Sequence, residues 1–341
     1  MKVVISGYYG FYNIGDEAIL RSIVQRLRVE EPDVEIVVLS GDPRDTEARH
    51  GVTAIHRFDF LKIRRVLRGA DGLISGGGSL MQDVTGWKSI PYYCAVIGLA
   101  KRYRVPVFAY AQGVGPIERS LGRRLLARTF RDVDAVSVRD HLSLALLREI
   151  GVTREIDVTA DAVFGMNIDD FTLERGDYVA VSVRPWAEDS RYQNVLAEAL
   201  DQIDADIVFV PMQGDTDYDA SFAVRKQMTR TSERRVHIMD AESSIDERLQ
   251  IIAGARSLIG MRLHALIFAA VLETPFVALS YDPKIDAFAG ERVVGHVERR
   301  DWDADALLEA LGVYGDDAID VSTYREQAVA TARDAVALFR K

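Results

Sequence analysis

The chain has 341 residues, 48% hydrophobic and 28% charged, an ordinary globular balance whose length points to two cores rather than one. Its formal net charge of −10 argues against a general nucleic-acid binder, so a small anionic substrate would need a local cluster of cations to attract it. A single cysteine, Cys94, excludes an intramolecular disulfide and fits a reducing, cytoplasmic setting; no apolar run has the length of a membrane span, the first residues do not read as a signal peptide, and the histidines lack metal-ligand spacing.

The first apolar run, KVVIS, leads into GYYGFYNIGDEAIL, Gly7 to Leu20. This reads as a strand, a glycine loop and a helix that opens at the acidic pair Asp16-Glu17, with Ile19, Ile23 and Leu27 on one face. The glycines Gly7, Gly10 and Gly15 match neither GxGxxG nor the P-loop, so neither a dinucleotide nor a nucleoside triphosphate is indicated. VEIVVLS, GVTAI, DGLIS, VPVFAYA and AVSV follow as strands separated by amphipathic stretches. MNIDDFTLERGD reads as a linker, after which YVAVSV, DIVFVPM, RVHIM, SLIG, TPFVALS and RVVGHV repeat the pattern. Such alternation predicts an α/β protein of two doubly wound, Rossmann-like domains facing a cleft, 1–168 and 175–320, with a long C-terminal helix over 321–341.

Ligands of such sheets bind at the carboxyl ends of the strands, so the residues just after each strand are the candidates. The first loop supplies Gly15, whose bare backbone admits a ligand closely, and Asp16; acidic residues that favour the helix dipole are the plainer reading of the latter. After DGLIS come Gly76, Gly77, Gly78 and Ser79, a candidate anion nest or a simple tight turn. Gln112 opens a third glycine loop, and Arg139 follows AVSV, aimed at the cleft or paired with Asp140. In the second half, Arg184, Arg262 with His264, and Lys284 stand at three further strand ends. Three cations and a histidine arising from separate strands favour a functional histidine over a structural one. No G-x-S-x-G elbow supports a hydrolase triad.

Taken in order, GYYGFYNIGDEAIL, GGGSLMQD, QGVGP, SVRD, SVRPW, GMRLHALIFAA and SYDPKIDAF resemble the polysaccharide pyruvyl transferase family over about residues 1–290, most closely its cell-wall members of the CsaB type. The resemblance implies a GT-B-like fold, phosphoenolpyruvate as donor substrate with no cofactor, and a sugar of the N-acetylmannosamine kind on a lipid-linked wall-polymer precursor as acceptor. The product would be a pyruvate ketal. It also implies that Arg139, His264 and Lys284 are important, and it places the first glycine loop on the acceptor side. Arg139 and Arg262 would then bind anions with Arg184 as a third, Lys284 would neutralise phosphate, His264 would be the acid/base, and Asp16 a second base. A nucleotide-sugar glycosyltransferase on the same fold and a non-catalytic glycan-binding member are the alternatives. The basic run Lys62, Arg64, Arg65 and Arg68 beside Phe58, Phe60 and Leu61 suits peripheral membrane contact by an enzyme with a lipid-linked acceptor; a solvated helix face is the plainer reading.

Overall fold

The computed structural model describes residues 1–84, 86–186, 191–229, 235–295 and 303–341. The chain divides into two units, one formed by Met1–Asn167 with Ser322–Lys341, the other by Ile168–Val321. The first holds a parallel sheet of seven strands: β1 (Lys2–Tyr9), β2 (Glu35–Ser40), β3 (Thr53–His56), β4 (Gly72–Gly76), β5 (Val107–Gln112), β6 (Ala135–Val138) and β7 (Asp157–Val158). Their spatial order is β3-β2-β1-β4-β5-β6-β7. Consecutive Val3, Val4 and Ile5 are all buried, as both faces of a helix-covered parallel sheet require. The Ile14–Glu30 helix buries Ile19, Ile23 and Leu27, the face read from their spacing.

The second unit repeats the design with six strands, β8 (Tyr178–Ser182), β9 (Asp206–Phe209), β10 (Val236–Ile238), β11 (Ser257–Gly260), β12 (Phe276–Leu279) and β13 (Val293–Val294), ordered β10-β9-β8-β11-β12-β13. Apart from His264 the Leu263–Val271 helix behind it is apolar all round, and every side chain from Ala265 to Val271 is buried. Of the predicted RVVGHV strand only Val293–Val294 pairs, with β12; His296 and Val297 lie outside the described residues.

The predicted pattern of two parallel-sheet α/β units and a terminal helix is what the structure shows. Three details differ from the sequence reading. β1 runs on through Gly7 to Tyr9, so the first loop is shorter than its glycines suggest. β7 and the 3₁₀ turn Ala162–Gly165 were not foreseen, because two residues are too few for any periodicity. The terminal helix, Ser322–Phe339, is not a separate element but belongs to the first unit, where Thr331 Oγ1 lies 2.7 Å from Thr159 Oγ1 and Arg340 Nη2 donates to Glu31 Oε2 at 2.6 Å.

Candidate active site

In each sheet the chain reverses its winding direction at one point, between β1 and β4 in the first and between β8 and β11 in the second. Crevices open at such switch points, at the carboxyl ends of the strands. The candidate residues gather beside these two places, one set in each unit.

In the first unit Asn13 caps the helix, its Oδ1 accepting the N–H of Gly15 at 3.0 Å and of Asp16 at 3.3 Å. The helix therefore starts at Ile14, before the acidic pair. Gly15 lies inside its first turn with its N–H already spent on the cap, so the expectation that Gly15 offers backbone to a ligand is corrected. Glu17 is structural: Oε1 accepts the N–H of Gly10 at 2.8 Å and Oε2 lies 3.0 Å from His50 Nε2, pinning the loop to the helix Pro43–His50.

Asp16 behaves differently. It is buried against the β4 loop, where a Cβ on Gly78 would stand 2.6 Å from Asp16 Oδ1. Gly78 also has φ +71°, so glycine is required there twice over. Burial, reinforced by the Glu17 charge, pushes the Asp16 carboxyl up to about 8; Arg139 opposes this and Asp161 adds to it. A carboxylate serving only the helix dipole would stay ionised. Asp16 is instead mostly protonated at neutral pH, a hydrogen-bond donor that becomes a base only near pH 8.

Arg139 stands at the end of β6 with its side chain buried. Nη1 donates to Asp161 Oδ2 at 2.8 Å, and Nη2 to Ser79 Oγ at 2.8 Å. The neighbouring Asp140 is 3.6 Å from Nε and caps the helix His141–Glu149 through the N–H of Ser143. The arginine is thus ion-paired with Asp140 as the plainer reading held, and more closely with Asp161, which follows β7. Gln112 is fully buried and ties two glycine loops together, its Nε2 donating to Gly78 O at 2.8 Å and Gly113 O at 3.1 Å. Its Oε1 has no hydrogen-bond partner among the described residues. Gly113 packs so closely that a Cβ there would lie 2.9 Å from both Arg139 Nε and Ser79 Oγ. The nest expected at Gly76–Gly78 is only partial, because the Gly77 N–H is committed to Tyr110 O at 3.0 Å. Asp16, Gly78, Ser79, Gln112 and Arg139 nevertheless form one connected group.

In the second unit the cations stand at the ends of β8, β11 and β12, three neighbouring strands. Arg262 is the N-cap residue of the Leu263–Val271 helix, and its fork grips the fully buried Asp217, Nε donating to Oδ2 at 3.0 Å and Nη2 to Oδ1 at 2.5 Å. The expectation that Arg262 presents its fork to a ligand is therefore corrected: both of these donors already serve a carboxylate. Arg184 is less committed. Its guanidinium lies 4.8 Å from the Tyr281 ring and donates to the Tyr281 hydroxyl at 2.9 Å, with no carboxylate partner among the described residues. His264, half-buried in the first turn of the same helix, has its ring 6.3 Å from that of Phe268. Lys284 is half-buried in the first turn of Pro283–Ala289, a helix capped by Asp282.

Sequence reasoning missed Asp161, Asp217 and Tyr281. Asp161 is 22 positions from its arginine and Asp217 is 45 from its own, so no local pattern joins them. The one usable signal was Asp217 in the first turn of a helix that follows a strand.

The model of the family described as polysaccharide pyruvyl transferase matches residues 13–283, most of the chain, ending one position before Lys284. The amylovoran biosynthesis protein AmsJ of Erwinia amylovora is 23% identical over 356 aligned positions, 83% of this chain and 84% of that one. Among solved structures, the UDP-GlcNAc 2-epimerase of Methanocaldococcus jannaschii superposes with a TM-score of 0.68 at 12% identity over 100% of this chain and 99% of its own. A putative UDP-N-acetylglucosamine 2-epimerase of Listeria monocytogenes gives 0.63 at 12% identity, over 99% and 94%. At such identities these likenesses show the fold, two Rossmann-like sheets of the GT-B-like kind. The family match, by contrast, spans the strand-end residues of both units up to His264, and the chain belongs to the polysaccharide pyruvyl transferase family.

Proposed function

We propose that this pyruvyl transferase takes phosphoenolpyruvate as donor and forms a cyclic pyruvate ketal on a sugar of a lipid-linked cell-wall polysaccharide precursor, the sugar being of the N-acetylmannosamine kind as in CsaB-type enzymes. The observation that carries the reading is the basic set Arg184, Arg262, His264 and Lys284 at the ends of three neighbouring strands. A donor with a carboxylate and a phosphate needs such a set. Because Asp217 already neutralises Arg262, while Arg184 is met only by neutral groups such as the Tyr281 hydroxyl, Arg184 is a better anion ligand than Arg262, and Arg262 orders the base of the site. This reverses the ranking expected from sequence.

In this mechanism C3 of phosphoenolpyruvate gains a proton and C2 becomes electrophilic. One sugar hydroxyl attacks C2 and gives up its proton, and the C2–O bond to phosphate breaks. The second hydroxyl then closes the ring and gives up its proton, so that the two hydroxyl protons balance the one delivered to C3 and the one taken up by the departing phosphate. His264 is the proton donor to C3 and Lys284 neutralises the departing phosphate. The first unit takes the acceptor: Asp16 manages the hydroxyl proton, while Arg139 holds Ser79 and the glycine loops in place around it. No cofactor is needed for these steps.

A phosphate-release assay with phosphoenolpyruvate and a synthetic β-linked N-acetylmannosaminide, read also by mass spectrometry of the acceptor, tests the proposal. Phosphate release matched by ketal formation is expected. Binding of a nucleotide-sugar in place of phosphoenolpyruvate would replace it with glycosyl transfer. No helix among the described residues is long and apolar enough to cross a membrane. Contact with the inner face of the membrane is proposed through the helix Phe60–Leu67 and its flanks, where Lys62, Arg64, Arg65 and Arg68 are exposed beside Phe58, 59% exposed, and Leu61, 79% exposed. Liposome co-sedimentation of the wild type against a variant with all four cations changed to Gln decides this, and equal binding would remove the proposal.

A further inference from the structure

Arg57 follows β3 at the carboxyl edge of the first sheet and is only 7% exposed. Among the described residues no carboxylate pairs with it, and its Nε has no hydrogen-bond partner. Its guanidinium carbon lies 4.1 Å from the ring centroid of Tyr92, 5.3 Å from Phe11, 5.4 Å from Phe58 and 5.5 Å from Tyr93. The backbone is fixed on both sides, since the Arg57 N–H donates to Ser40 O at 2.8 Å and the Tyr92 hydroxyl donates to Arg57 O at 3.0 Å. Aromatic faces attract a cation but do not neutralise it. A buried charge left without a counter-charge is costly, and such groups are retained where something else supplies the partner. The rim of this box is exposed and aromatic, with Tyr8 and Phe11 stacked at 4.3 Å and 12°. Tyr8 feels the charge of both Asp16 and Arg57, so the box adjoins the Asp16 group within the same unit.

We infer that Arg57 is the anchor for a phosphate of the acceptor, with Tyr8 and Phe11 as the platform on which the attached saccharide lies. This rests on the proposed acceptor being a saccharide linked through phosphate to its carrier. A planar guanidinium set among aromatic walls suits a phosphate oxygen pair, while the stacked rings suit the apolar face of a sugar. The arrangement would select phosphate-linked acceptors over free saccharides, a specificity that neither the glycine loops nor the cations of the second unit supply.

Calorimetric titration of the full chain tests this with four probes: an alkyl diphosphate-linked N-acetylmannosaminide, the same saccharide as a neutral alkyl glycoside, inorganic pyrophosphate, and phosphoenolpyruvate. Arg57→Gln should weaken the diphosphate-linked probe and pyrophosphate about 10- to 100-fold, the effect of losing a charge-assisted contact, and leave the neutral glycoside and phosphoenolpyruvate unchanged. Arg57→Lys should fall between. Without ligand, Arg57→Gln should melt no lower than the wild type, since it removes an uncompensated buried charge. Unaltered binding of the diphosphate-linked probe by Arg57→Gln, or weakened binding of phosphoenolpyruvate alone, overturns the inference. So does a lowered melting temperature with probe binding intact, which would make Arg57 structural. The readout is independent of pyruvyl transfer: Arg57-dependent pyrophosphate binding without phosphate release sinks the reaction and keeps the site, and normal turnover with Arg57-independent binding does the opposite.

Discussion

Asp16→Asn tests whether the fold holds this carboxyl neutral. Burial against the β4 loop, with Glu17 beside it, raises the group from 3.8 to about 8. A folded-state value above the unfolded one means that the native chain binds the proton more tightly. The contribution to stability is then full below the unfolded value and is lost as pH rises toward the folded value. Between pH 5 and pH 8 the unfolded chain has released this proton and the native chain still holds it, so the wild type loses roughly 1.4 kcal/mol per pH unit on its account. Over that interval the sum is about 4 kcal/mol, none of which Asp16→Asn loses, because the amide keeps the shape and cannot ionise. Urea denaturation of both proteins at pH 5, 6.5 and 8 gives the comparison, and groups not coupled to Asp16 cancel in the difference. The variant should gain on the wild type steadily as pH rises. A stability difference independent of pH would show that Asp16 is ionised in the folded chain and refute the reasoning, along with its role as a neutral donor.

Arg139→Ala should cost about 3–5 kcal/mol in urea denaturation, because it strands the buried Asp161 and releases Ser79; a loss well under that would mean the pair is not isolated from water. His264→Gln should lower kcat by ~10²–10⁴ while the donor KM moves far less, and a folded variant with near-normal kcat would make the histidine structural. Gly78→Ala, which needs φ +71° and sets a Cβ 2.6 Å from Asp16 Oδ1, should destabilise by about 1–3 kcal/mol, whereas Gly69→Ala, with open space around it, should change little by the same thermal melt. Phosphoenolpyruvate binding measured by titration should be the same with and without EDTA; abolition by EDTA would require a metal that the cation set does not provide for.

The sheets were legible because a strand buried on both faces reads as a continuous apolar run, as Val3 to Ile5 and Phe276 to Leu279 do, and because helices such as Ile14–Glu30 show their buried face in their spacing. Strand-end position alone made Asp16, Arg139, Arg184, Arg262, His264 and Lys284 candidates, since parallel sheets put their ligand loops at one edge. What those side chains do with their charge was decided only by the tertiary structure. Arg262 and Arg184 look alike in sequence, yet one is held by Asp217 and the other is met by a tyrosine, from segments far away along the chain. Asp16 and Glu17 are adjacent and chemically equivalent, yet Glu17 faces Gly10 and His50 while Asp16 faces the β4 loop. No sequence pattern marks Arg57, and only the packing of Phe11, Phe58, Tyr92 and Tyr93 around it makes it a buried cation. Local periodicity is written in neighbouring residues, whereas burial and charge pairing depend on partners that the sheet topology brings together from distant positions, and a single sequence carries no spacing signal for them.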